Sequence, residues 1–108
     1  MVAADFATSH VYVKNSTTFH HQQTISEDQI TVSVVDITGD GLRLLIIHKS
    51  PRIRIYNNIN GHFTLFQTIV PSNGALNAEA GVISDDHQWV VFGTNSFPGQ
   101  IEVYKFNG

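Results

Sequence analysis

Three short stretches of this chain carry residue types that could do chemistry. Asp36-Ile37-Thr38-Gly39-Asp40-Gly41 sets the oxygen-bearing side chains of Asp36, Thr38 and Asp40 at alternating positions, and hard oxygen donors in that arrangement suit calcium. Asp85-Asp86-His87 gathers two carboxylates and an imidazole in consecutive positions. The competing expectation there is that Asp-rich turns between strands hydrogen-bond their own backbone. His20-His21 is the third candidate. Adjacent side chains in a strand project to opposite faces, so both imidazoles cannot hold one ion in a regular strand, and a structural or solvated role is expected. Nucleophilic catalysis finds little support. No serine sits in a Gly-x-Ser-x-Gly elbow, no glycine-rich loop leads into a helix to hold phosphate, and no acidic pair has the spacing of a dyad. No cofactor is implied. Asn15-Ser16-Thr17 is a glycosylation acceptor sequence, meaningful only in an exported chain.

The elements that must position these residues follow from a near repeat. The stretch around Tyr12 ending Gln23-Thr24-Ile25 recurs around Tyr56 ending Gln67-Thr68-Ile69, and its opening returns as Ile101-Glu102-Val103-Tyr104. Tyr12 and Tyr56 lie 44 positions apart, Tyr56 and Tyr104 48 apart. Self-similarity at this period marks a solenoid, a propeller or an array, in which one unit cannot bury its apolar face alone. Three equivalent tyrosines therefore point to packing between units more than to a single active site.

The unit reads strand by strand. Ile30-Thr31-Val32-Ser33-Val34-Val35 alternates apolar and small polar residues, the pattern of a strand with one buried face. The Asp-Gly step of the Asp36 to Gly41 turn signals a tight hairpin. Leu42 to Ile47 is too short for an ordinary helix and reads as a strand covered on both faces. Lys49-Ser50-Pro51 predicts a turn, Ile53 to Tyr56 a third strand, Asn58-Ile59-Asn60-Gly61 a turn that tolerates positive φ, and Phe63 to Ile69 a fourth strand. Four short antiparallel strands of this kind describe one blade of a β-propeller.

Downstream, Gly81 to Ser84, Trp89 to Thr94 and Gln100 to Tyr104 supply three strands of a second copy, followed by a turn at Phe106-Asn107-Gly108. Upstream, Val2 to Thr8, His10 to Val13 and Phe19 to Ile25 supply three of an earlier one. The fold expected is all-β: antiparallel four-stranded propeller blades, about two and a half of them, in a single partial propeller. Residues 1–25 form an incomplete blade, 26–70 a full blade and 71–108 another incomplete one. Asp40 and Asp86 take matching turn positions, and Trp89, opening a strand, is expected to be a core aromatic. The connector from Pro71 to Ala80 is the one long departure from tight turns, either a binding loop or, from Ala75 onward, the start of an inner strand.

Ile83 to Thr94 followed by Ile101-Glu102-Val103-Tyr104 resembles the WD-repeat blade, in which a polar turn precedes a buried strand ending in a small residue and a third strand carries an aromatic. Val103-Tyr104 and Ile55-Tyr56 stand where that family has its Trp-Asp pair, so the likeness is to divergent blades. Asp36 to Gly41 followed by Ile53 to Phe63 is also similar to the FG-GAP repeats of integrin-like propellers. That resemblance implies a calcium loop of the form Asp-x-Asn-Gly-Asp-Gly-x-x-Asp, whose third position is here Thr38 and whose last is Leu44.

Composition bounds the function. A chain of 108 residues, 42% hydrophobic and 14% charged, can build a modest single core. With a formal charge of −3 and six scattered Lys and Arg there is no basic stripe for phosphates, and nucleic-acid binding is not expected. The absence of cysteine excludes disulfides and thiolate chemistry. No secretory signal is visible at Met1 to Phe6, and no apolar run approaches the ~20 residues of a membrane helix, which favours an intracellular chain without membrane insertion. Because propellers close with typically ~4 to 8 blades, two and a half would leave faces and edges bare. Other protein chains, further copies or a longer parent chain are expected to complete the ring. The leading expectation is a non-catalytic protein–protein interaction scaffold. The alternative is a propeller that binds carbohydrate or calcium, or a lactonase-like hydrolytic one.

Overall fold

The computed structural model describes residues 2–4, 8–26, 31–48, 52–70, 78–94 and 99–106. They form three sheets. The first holds β1 (Val2–Ala4), β2 (Thr8–Asn15) and β3 (Thr18–Ser26). The second holds β4 (Val32–Ile37), β5 (Arg43–His48), β6 (Arg52–Ile59) and β7 (His62–Ile69), and the third β8 (Ala78–Ile83), β9 (Trp89–Thr94) and β10 (Gln100–Lys105). Within each sheet the strands follow chain order and pair antiparallel, the meander of a propeller blade. Among the described residues no helix is long and apolar enough to cross a membrane.

Several strand boundaries differ from the sequence expectation. Asp36 and Ile37 extend β4, paired with Leu45 and Leu44, so the turn begins only at Thr38. β1 ends at Ala4, and Thr8 opens β2 rather than closing the preceding strand. The expected turns at Lys49-Ser50-Pro51 and Asn107-Gly108, and the connector over 71–77, lie outside the described residues, whereas Ala78 already belongs to β8.

The apolar residues sort by alternation into two layers. Leu44, Ile46, Tyr56 and Phe63 of the second sheet bury against Val11 and Ile25 of the first. Leu45, Ile47, Ile53, Ile55 and Ile69, on the opposite face, bury against Ile83, Val90 and Phe92 of the third. The apolar run of β5 is thus covered on both sides, as its composition requires. Gly81 sits where the second layer is tightest: a Cβ there would run into Ile47 Cδ1 and lie 3.2 Å from Phe92 Cβ and the Val91 carbonyl.

The repeat extends to its irregularities. The β2–β3 register shifts between Val11 and Tyr12, skipping Gln22, and the β6–β7 register shifts between Ile55 and Tyr56, skipping Phe66. A bulge increases the local right-handed twist, so each outer strand swings by the same device. At Asn60-Gly61 the turn between β6 and β7 places both residues at positive φ, 53° and 87°, as the twist of a two-residue hairpin requires.

Candidate functional site

The two strand-to-strand turns that lead into β5 and β9 are built alike. Thr38 Oγ1 donates to Asp40 Oδ1 at 2.7 Å, and Ser84 Oγ donates to Asp86 Oδ1 at 2.6 Å. The same carboxylate oxygens accept the N–H of Leu42 (3.0 Å) and of Gln88 (2.9 Å). The hydroxyls accept in turn from the N–H of Arg43 (3.1 Å) and of Trp89 (2.9 Å). These bonds stabilise the charged carboxylates, so both lie below the usual carboxylate range. Asp40 falls to about 2, chiefly through the Leu42 N–H, then the Thr38 hydroxyl and His87. Asp86 is lowered through the Ser84 hydroxyl first and the Gln88 N–H second.

Consecutive turns are also stitched to each other. Gly39 N–H donates to Asp85 Oδ1 at 2.7 Å, His87 Nε2 lies 2.7 Å from Asp40 Oδ2, and Arg43 Nη1 donates to the His87 carbonyl at 3.4 Å. His87 itself holds φ at 64°. The Arg43 guanidinium lies over the rings of Phe66 (4.9 Å) and Phe106 (4.6 Å). Of the three oxygen-bearing residues considered for calcium, Thr38 and Asp40 satisfy one another, while Asp36, in β4, accepts the Ile83 N–H at 3.0 Å. Among the described residues no group of three His, Asp or Glu side chains could hold a metal ion.

The other sequence candidates are separated by alternation. His21 and His20 lie on opposite faces of β3: His21 shares the outer face of the first sheet with Tyr12 and His10, its Nε2 2.8 Å from Thr24 Oγ1. Tyr56 is buried and Tyr104 stacks on Phe92 at 5.6 Å, each facing the preceding sheet. Burial raises the Tyr104 phenol, helped by its hydrogen bond to Glu102 Oε1 at 2.9 Å. Trp89, expected in the core, is 41% exposed with Lys105 Nζ 5.3 Å from its ring centroid. Val90, its neighbour, takes the inward position in the strand.

At the other end of the same strands lies a site that the sequence reading missed. His48 closes β5 and Arg54 lies near the start of β6, on the face turned toward the first sheet. Both are buried, 2% and 6% exposed, and Arg54 Nη1 lies 3.4 Å from His48 Nδ1. An Arg donor at Nδ1 makes that nitrogen the acceptor, which leaves the ring proton on Nε2. Ser9, 1% exposed, lies at this end of β2, and its Oγ has no partner among the described residues. Register equates Arg54 with His10 in β2 and Glu102 in β10, and His48 with Thr94 in β9. The hydroxyl–carboxylate turn is therefore duplicated, whereas this polar position differs in every blade. A buried guanidinium must be compensated to be tolerated at all. The signal available in the sequence was the pair of charged residues, Arg52 and Arg54, in an otherwise apolar run.

No family model matches this chain, and no curated protein matches it in sequence. Solved structures do. A candidate 6-phosphogluconolactonase from Bacteroides uniformis ATCC 8492 superposes with a TM-score of 0.78 at 16% identity, over 98% of this chain and 33% of that one. Another from Bacteroides fragilis NCTC 9343 gives 0.75 at 13% identity, over 94% of this chain and 29% of that one. The chain thus spans about a third of the length of the structures it matches, and its fold is that of part of a β-propeller. The likeness supports a propeller and not WD repeats in particular. It also corrects two expectations: the non-catalytic scaffold, and the absence of enzymatic activity. Both structural neighbours carry the name of a lactone hydrolase, and the lactonase-like alternative fits them better.

Proposed function

We propose that this chain forms part of a lactonase-like propeller that hydrolyses a sugar lactone, with the rim containing His48 and Arg54 as its reactive side. The carrying observation is the superposition of nearly the whole chain on two candidate 6-phosphogluconolactonases. The buried guanidinium–imidazole pair says where on the fold to look. Lactone hydrolysis needs a water aimed at the carbonyl carbon, a donor for the oxyanion that forms as the C=O opens, and a proton for the ring oxygen as the C–O bond breaks. Arg54 brings fixed positive charge into a desolvated setting, with the His48 imidazole beside it. The duplicated turns at the opposite rim serve the fold, because the same bonds recur without change of chemistry.

The test is hydrolysis of 6-phosphogluconolactone by the purified chain, followed as acid release, with molecular size measured on the same sample. The reading predicts a rate above spontaneous hydrolysis that falls by at least about tenfold in Arg54→Gln and His48→Gln, a loss of about 1.4 kcal/mol or more of transition-state stabilisation. A sample that forms a closed particle of several blades yet hydrolyses the lactone no faster than buffer overturns it.

A further inference from the structure

Asn60-Gly61, the tip of the β6–β7 hairpin, is exposed and carries both residues at positive φ. An asparagine followed by glycine holds a latent reaction. The main-chain nitrogen of the glycine can attack the asparagine side-chain carbonyl, and glycine has no side chain to obstruct the approach. As the N–Cγ bond forms, that nitrogen gives its proton to solvent base; as the Cγ–Nδ2 bond breaks, the side-chain nitrogen leaves as ammonia. Water then opens the resulting succinimide at Cγ to give aspartate, or at the main-chain carbonyl carbon to give isoaspartate.

The fold withholds the attacking nitrogen. Gly61 N–H donates to Asn58 Oδ1 at 2.8 Å, so the electron pair that deprotonation would release points at that oxygen instead of at Asn60. Asn58 is half-buried and fixed from two sides: its Nδ2 donates to the Gly41 carbonyl at 3.1 Å and its main-chain N–H to the Leu42 carbonyl at 2.9 Å. The Gly41 bond also decides which side-chain atom of Asn58 is left to face Gly61. The equivalent hairpin of the first sheet lacks both parts. Register equates Lys14 with Asn58, and Ser16-Thr17 with Asn60-Gly61. Between these two hairpins the clasp goes with the labile pair and is not a general property of the repeat.

We propose that Asn60 is a site of spontaneous deamidation through a succinimide, and that Asn58 is the residue that holds it in check while the blade is folded. Because the opened tip is the reactive form, the rate follows the population of local opening. Conversion to isoaspartate adds a carbon to the main chain between positions 60 and 61, which disrupts the two-residue loop that sets Ile59 opposite His62. It also brings negative charge to the tip, where Gln22 of the first sheet donates to the Gly61 carbonyl at 3.4 Å. The inference stands on this hairpin and is independent of the hydrolytic reading.

The test incubates the purified full chain at mildly alkaline pH and follows conversion at Asn60 by peptide mapping and mass spectrometry, which separates it from the Asn-Gly steps at 73–74 and 107–108. The same chain unfolded in guanidinium chloride gives the unprotected rate. Conversion at Asn60 should be at least about tenfold slower in the folded chain. Asn58→Ala should speed it by about fivefold, the net worth of a typical hydrogen bond. Asn58→Asp keeps an oxygen for the Gly61 N–H while losing the bond to Gly41, so it should react as slowly as the parent, which separates loss of the clasp from loss of stability. Hydrogen exchange at the Gly61 amide should quicken in N58A and not in N58D. Equal rates in the folded and unfolded chain overturn the proposal, as does an N58A rate equal to the parent's, an N58D rate equal to that of N58A, or no conversion at Asn60 in the unfolded chain.

Discussion

His87 Nε2 meets Asp40 Oδ2 at 2.7 Å, joining two turns that lie 47 positions apart in the chain. The contact closes a set in which each turn is first locked by its own hydroxyl and carboxylate and then fastened to its neighbour by Asp85, His87 and Arg43. Asp40 therefore works in both capacities.

That double role gives acid stability a predictable shape. The folded-state pKa of Asp40 is about 2 against an ordinary 3.8, so its ionised form is favoured by folding. The stabilisation is complete above 3.8 and disappears as pH falls from there through about 2. Thermal melts across this window should show the parent losing more stability on acidification than Asp40→Asn, and parallel curves would refute the assignment.

Thr38 is 2% exposed, and its hydroxyl both donates to Asp40 and accepts from the Arg43 N–H. Thr38→Val keeps the shape and removes both bonds, and should destabilise the chain by about 1–3 kcal/mol in urea unfolding, with an unchanged denaturant slope. Thr38→Ser, which retains the hydroxyl as Ser84 does naturally, should recover most of that loss.

Gly81 faces Ile47 so closely that an added methyl group would collide with Ile47 Cδ1. Gly81→Ala should cost about 1–3 kcal/mol through overpacking. Ile47→Val removes the offending carbon, so the double variant should be more stable than the sum of the two single effects predicts. Strict additivity would show that the two side chains do not meet.

The guanidinium of Arg43 bridges Phe66 of the second sheet and Phe106 beyond β10. Arg43→Met preserves much of the stem while deleting the planar cation, and should lower stability by about 0.5–2 kcal/mol. Phe66→Leu in that background should then add little, which a double-mutant cycle would reveal.

Strands were legible where alternation or a continuous apolar run had one interpretation. Trp89 to Thr94 is predicted and found with the same limits, because a charged turn precedes it and small residues end it. The assignment failed at Asp36, whose acidic side chain reads as turn material, because the donor to that carboxylate is the Ile83 N–H of another sheet. Trp89 misled for a related reason: hydrophobicity marks a residue as suited to burial, while the face it takes is decided by register, here against Lys105. The paired turns could have been read from Thr38-Gly39-Asp40 beside Ser84-Asp85-Asp86, two hydroxyl residues each placed two before an aspartate. For His48 and Arg54 the charged pair Arg52 and Arg54 was the sole signal, since the proximity of His48 to Arg54 arises only when β5 and β6 are set in register.

The shared bulge opposite Tyr12 and Tyr56 leaves Gln22 and Phe66 outside the ladder, one polar and one aromatic. A residue that owes nothing to strand pairing is free to change identity without disturbing the sheet behind it. Phe66 has used that liberty to reach Arg43 and Phe106, whereas Gln22 reaches the Gly61 carbonyl at 3.4 Å. The periphery of each sheet thus offers a variable slot in which successive joints can acquire distinct fastenings while their backbones remain interchangeable.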